Sequence, residues 1–183
     1  MQLEEELNSL EDGEVFLISA PGEKLLEVNL NVLDYLVNKG YTGVIITLNN
    51  PYSILVKIIE KRKIDQSKLY FIDCITKTAG GQAARTENAL FISSPANLTE
   101  LGVAISQLIA AMPKGKQFVM MDSLSTLAMY NTAGSVAKFS HFLITKIKLH
   151  EVSGVIISIE AEIDEQTKNQ ISSLCNKTIR LGD

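Results

Sequence analysis

A glycine and a lysine separated by one residue, in Ser19-Ala20-Pro21-Gly22-Glu23-Lys24, form the fragment of this chain nearest to an anion-binding loop. Such loops wrap a phosphate in backbone N–H groups and bring an ammonium to its oxygens. A working version reads GxxxxGK[ST], with the hydroxyl serving magnesium. Here one glycine precedes Lys24, acidic Glu23 lies where phosphate would go, and Leu25 and Leu26 stand in the hydroxyl's place. The segment reads as a degenerate phosphate loop in which Lys24 is a first-turn surface lysine. The alternative is a remnant anion contact made by Gly22 and Lys24 at a helix N-terminus.

A second candidate is Phe118-Val119-Met120-Met121-Asp122-Ser123, an apolar run ending in an acid. An Asp so placed can hold magnesium directly or through water. Asp122 is therefore the one metal candidate, and Ser123 joins it as a nucleotide-site candidate. The plainer reading is a hydroxyl-rich turn, Ser123 to Thr126, satisfied by Asp122. Asn49 and Asn50 close another apolar run with amides, which orient ligands but cannot take a proton at neutral pH. Turn formation before Pro51 accounts for them. Glu160 and Glu162 follow a fourth run and, with Glu23 and Asp122, make that edge electronegative.

Other chemistries lack their parts. His141 and His150 stand nine residues apart on one helical segment, on poorly matched faces, with no partner nucleophile, so no acyl-transfer triad forms. Cys74 and Cys175, without a CxxC, suggest neither zinc nor a disulfide framework. No catalytic residue is assigned.

The elements that must position these groups follow a regular pattern. Apolar runs at Val15–Ser19, Gly43–Leu48, Leu69–Asp73, Leu90–Ser94, Gln117–Asp122, Val152–Ile159 and Lys177–Leu181 alternate with helical stretches. Runs apolar on both faces are what strands of a helix-covered parallel sheet look like. The helices predicted are Lys24–Lys39, Pro51–Lys63, a stripe from Leu98 to Met112 capped by Asn97, Gly134–His150 and Asp164–Leu174. The alternation predicts a single α/β domain over residues 1–183, a three-layer α/β/α sandwich on a mainly parallel sheet. Residues 1–12 form a short lead-in helix or frayed end. Ile75–Ala89 is longer than most loops in compact domains and reads as a mobile segment or, alternatively, a functional one, a candidate contact surface together with the sheet edge. In such a sheet ligands sit beyond the carboxyl ends of the strands, where all four segments above fall.

The 183 residues carry 17 basic and 21 acidic side chains, a formal net charge of −4, and 46% hydrophobic residues. That balance supports a sizeable core and disfavours nucleic acid as a partner. The acidic first ten residues and the lack of a long apolar run point to a cytoplasmic protein without membrane insertion.

In its order of elements the chain resembles the RecA-like P-loop ATPases, specifically the archaeal KaiC-like, RadA-related branch. The resemblance rests on VFLISAPGEK at the first strand and phosphate loop, GVIITLNNP at the second strand, LYFIDC, FVMMDSLSTLAMYN at the Walker B strand, and KFSHFLITKIKLHEVSGVIISIE. It implies a RecA-type sheet with Val152–Ile159 lying between Val15–Ser19 and Gln117–Asp122. Of the family's ATP machinery, only Asp122 matches in type and place. Losing two or three charge-assisted hydrogen bonds, each worth ~1.5–3 kcal/mol, would weaken nucleotide binding by orders of magnitude.

The expectation is a catalytically inactive RecA/KaiC-like domain acting as a regulatory or scaffolding protein-binding module, partner to an active ATPase or signalling assembly. No cofactor is expected beyond a weakly held Mg-nucleotide. The partner expected is a protein, for example a paralogue with an intact P-loop. A homo-oligomer is compatible with the ring-forming habit of the relatives. The alternatives are an atypical nucleotide-binding protein or ATPase using Asp122 and Lys24, and a DNA-associated accessory protein.

Overall fold

The computed structural model describes residues 2–182. In chain order its elements are α1 (Gln2–Leu7), β1 (Val15–Ala20), α2 (Leu25–Asn38), β2 (Thr42–Thr47), α3 (Tyr52–Lys61), β3 (Leu69–Asp73), β4 (Ala89–Phe91), α4 (Leu98–Ala111), β5 (Gln117–Met121), α5 (Leu124–Tyr130), α6 (Ala133–Leu149), β6 (Ser153–Ile159), α7 (Glu165–Leu174) and β7 (Lys177–Arg180). The strands form one sheet in the order β4-β3-β2-β5-β6-β1-β7, and every pairing is parallel. The placement of β6 between β5 and β1 agrees with the sequence expectation.

Both faces of the sheet are covered, which explains why the strands read as continuous apolar runs. Along β1, Val15 and Leu17 join a core with residues of α4, α5, α6 and α7. Phe16, Ile18 and Ala20 join the opposite core with α1, α2 and α3. The result is the three-layer α/β/α sandwich anticipated from the alternation.

Helix starts follow local chemistry. Asn97, Ser123, Thr132 and Asp164 each accept a hydrogen bond from a backbone N–H in the first turn of α4, α5, α6 and α7, satisfying donors that a helix cannot satisfy within itself. Two elements differ from expectation. β4 is confined to Ala89–Phe91, and the segment after β5 is a helix of its own, α5, rather than a turn. Its Leu124 and Leu127 are buried against the sheet, which offsets the modest helix propensity of serine and threonine. Among the described residues, no helix is long and apolar enough to cross a membrane.

Gly43 sits directly across from Phe118 in the β2–β5 ladder. A Cβ at this position would lie 2.2 Å from two carbons of the Phe118 ring, and that ring is fully buried. Gly43→Ala is therefore expected to destabilise the fold by about 1–3 kcal/mol through overpacking. Urea unfolding provides the measurement, and Phe118→Leu in the same background is expected to recover part of the loss.

Candidate functional site

The carboxyl ends of β1, β2, β5 and β6 meet at one edge. After β1, Pro21 has φ −58° and ψ 144°, and Gly22–Lys24 form a single 3-10 turn before α2 begins. The Lys24 N–H donates to Pro21 O at 3.0 Å, and the Leu25 N–H donates to Gly22 O. These donors close the loop on itself, whereas a phosphate cradle leaves them facing outward. Gly22 is absent from the glycines with positive φ, and a Cβ there would make ordinary contact with Ile159 at 3.8 Å. The position does not require glycine. The Lys24 ammonium donates to Gly182 O at 3.3 Å, just beyond β7, the strand paired with β1.

Asp122 is committed in the same manner. The residue is 6% exposed. Its Oδ1 accepts from Leu48 N at 2.9 Å, and its Oδ2 lies 3.2 Å from Thr47 Oγ1 and 3.4 Å from Asn49 N. Both oxygens are thereby tied to the end of β2. Burial pushes the Asp122 carboxyl up to about 6, outweighing the two backbone N–H groups and the Thr47 hydroxyl that pull it down. Ser123 is fully buried, and its hydroxyl accepts from Thr126 N at 3.0 Å as the cap of α5. Thr126 in turn hydrogen-bonds the side-chain oxygen of Asn49.

Of the four residues singled out from the sequence, Gly22 and Asp122 line one small cavity, while Lys24 and Ser123 serve other partners. Glu23, Glu160 and Glu162 are exposed. Among the described residues, no three His, Cys, Asp or Glu side chains cluster to hold a metal ion.

Two features escaped the sequence reading. Asp73, at the end of β3, is fully buried. Its Oδ1 accepts from Ile75 N at 2.8 Å and Thr76 N at 2.7 Å, and its Oδ2 from Tyr52 N at 2.7 Å and Thr76 Oγ1 at 2.5 Å. This carboxylate holds the first turn of α3 and the start of the Ile75–Ala89 loop. The signal was present as a second apolar run ending in an acid, LYFID. The other feature is a groove of about 680 Å³ between α4 and α6, lined by Val103, Gly102, Ser106, Phe139, Phe142 and Lys138 among others. Val103 is 53% exposed and Phe142 40%. The Phe142 ring lies 3.2 Å from where a Cβ of Gly102 would be.

A family model described as a family of unknown function (DUF7504) matches residues 41–181. No curated protein matches the chain. Among solved structures, the uncharacterized protein PH0321 from Pyrococcus horikoshii, crystallised in complex with an unknown peptide, is similar with a TM-score of 0.71 and 9% identity, over 98% of this chain and 81% of that one. The ATPase domain of G40P is similar with a TM-score of 0.65 and 13% identity, over 98% and 74%. The KaiC-like protein PH0186 from Pyrococcus horikoshii OT3 gives 0.63 and 13%, over 93% and 71%. At these identities the likeness establishes the fold, which is RecA-like and KaiC-like.

Proposed function

The chain belongs to this family of unknown function, and from that starting point we propose that it works as a RecA-like protein-binding module without nucleotide hydrolysis. The observation that carries this reading is the Asp122 carboxylate. In a working site that acid must stay ionised and open toward a metal, whereas here its oxygens are engaged by Thr47, Leu48 and Asn49. The self-closed Gly22–Lys24 turn adds a second misfit to a Mg-nucleotide. No chemical step is assigned to this edge.

What such a module would offer is surface. The α4–α6 groove joins exposed apolar side chains on both helices to the cation of Lys138, a combination that suits an apolar peptide segment bearing an acidic residue. One RecA-like neighbour, PH0321, holds an unknown peptide in its crystal structure, which supports peptide binding on a fold of this kind. The partner proposed is a RecA-like paralogue with an intact P-loop.

Thermal melting with Mg-ATP tests the first half. A ligand at 100 times its Kd contributes ~2.7 kcal/mol, or about 5–10 °C in Tm for a domain of this size. The expected shift with Mg-ATP, Mg-ADP or Mg-GTP is below about 1 °C. A larger, saturable shift would establish nucleotide binding and reverse the reading. For the second half, capture of the P-loop-intact paralogue by the wild-type protein is expected to be lost in Val103→Asp.

A further inference from the structure

Helix α6 carries Lys138, Lys146 and Lys148 and no acidic residue along its 17 positions, in a chain where acids outnumber bases by 21 to 17. Across the groove, α4 has Glu100 as its one acid, and that carboxylate already accepts from Ser93 N, Ser93 Oγ and Asn97 Nδ2. The Lys148 ammonium is turned to Leu174 O at the end of α7. Lys138 stands on the groove wall. Lys146 lines a cavity of about 360 Å³ that adjoins the groove at Phe142 and runs on to Leu149. The one ion pair among the described residues joins Lys177 to Glu6, so the charges of Lys138 and Lys146 have no counter-ion. With Phe142 between them they stand at i, i+4 and i+8, on one face of α6.

The groove walls bear on the form of the occupant. The main chain within α4 and α6 is used by the helices themselves. The Ser106 hydroxyl donates to Gly102 O, and the Ser135 hydroxyl is engaged by Thr132. An extended segment laid on this surface would press N–H and C=O groups against hydrocarbon without partners, a loss repeated at each residue. A sheet edge supplies such partners, and a groove between helices does not. A helix satisfies its own main chain and can set an apolar stripe on the exposed side chains of Val103, Phe142 and Leu149.

We infer that the groove takes an amphipathic α-helix of a partner protein, its apolar stripe on Val103, Phe142 and Leu149 and its carboxylates on Lys138 and Lys146. The inference rests on the protein-binding reading of this groove and adds the form and charge of what binds. The two lysines are eight residues apart, ~12 Å along the helix axis. They call for acidic residues seven or eight positions apart on the partner. The 14 residues of α4 span about 21 Å, which a partner segment of the same length would cover.

Three peptides of about that length are the probes. The first is a leucine- and glutamine-based amphipathic helix with two glutamates seven residues apart, the second has lysine at those two positions, and the third is the glutamate peptide with a central proline. Amide ¹H–¹⁵N spectra of the full chain are expected to show saturable shifts at Gly102, Val103, Phe142 and Thr145 with the glutamate peptide. The lysine peptide is expected to bind about tenfold more weakly at low salt, a preference that shrinks as salt is raised. The proline peptide, its helix broken, is expected to lose at least about tenfold. In the double variant Lys138→Glu, Lys146→Glu the preference between glutamate and lysine peptides is expected to invert. The inference is overturned if the glutamate peptide gives no saturable shifts at these amides, or if either other peptide binds the wild-type protein equally well. It is also overturned if the same amides shift with protein concentration alone, which would give the groove to a second copy of this chain. These comparisons need no variant. The protein-binding reading fails separately, if capture of the paralogue does not depend on Val103.

Discussion

Asp73→Ala is expected to cost about 3–5 kcal/mol of folding stability, the steepest loss among single side chains at the strand ends. The carboxylate is fully buried and accepts from Tyr52 N, Ile75 N, Thr76 N and Thr76 Oγ1. Alanine removes these acceptors at once and leaves three backbone donors where β3, α3 and the following loop converge. Hydrogen bonds to a charged group are each worth ~1.5–3 kcal/mol, but losses within one cluster do not add fully, hence the range. Asp73→Asn keeps one acceptor oxygen and turns an NH₂ toward N–H groups, so its cost falls between alanine and wild type. The measurement is the urea midpoint at neutral pH with the slope unchanged. A loss below about 1 kcal/mol would mean that the strand-end loops are not built on this carboxylate.

Asp73 and Asp122 also mark how far the sequence could be read. LYFID and FVMMD are alike as strings, each an apolar run closed by an acid. What each carboxylate does depends on the path of chain far away: Leu48 N reaches Asp122 across 74 residues, and Tyr52 N reaches Asp73 across 21. Local spacing carries no record of such meetings. The sheet was legible because burial on both faces stamps a continuous apolar run on every strand, and the Asn97 cap was legible because a cap is a local contact. Asn29 lies on the buried side of α2, and only the meeting of α2 with the main chain at Asp122 shows which of its atoms lacks a partner. The α4–α6 groove was hidden for a related reason. Each helix shows a core-facing stripe, but Val103 and Phe142 lie off those stripes and become a surface only when the two helices are set side by side.

The second large effect concerns pH, and it separates a closed Asp122 from one waiting for a metal. Burial raises the Asp122 carboxyl from its ordinary 3.8 to about 6 in the folded state. The folded protein thus binds this proton more tightly than the unfolded chain does. The associated stabilisation is fully present below the ordinary value and is lost as pH rises through about 6. A difference of about two pK units corresponds to ~3 kcal/mol. The local geometry can receive the proton. Thr47 Oγ1 has one hydrogen, and it lies 2.6 Å from Asn50 O against 3.2 Å from Asp122 Oδ2. With its hydrogen given to Asn50 O, the hydroxyl can accept from a protonated Asp122. Other carboxylates titrate in the same window, so the reading is taken as a difference between wild type and Asp122→Asn, which keeps shape and cannot ionise. From about pH 7.5 to about pH 4, unfolding free energies are expected to show wild type gaining ~2.4 kcal/mol on the variant, most of the full difference. The amide can accept from Leu48 N and donate to Thr47 Oγ1, as the protonated acid does. A metal-ready Asp122 would behave in the opposite sense, staying ionised throughout, with Mg²⁺ stabilising wild type and leaving Asp122→Asn unchanged. A pH-independent difference between the two proteins, or stabilisation of wild type alone by Mg²⁺, would return Asp122 to the role of a metal ligand.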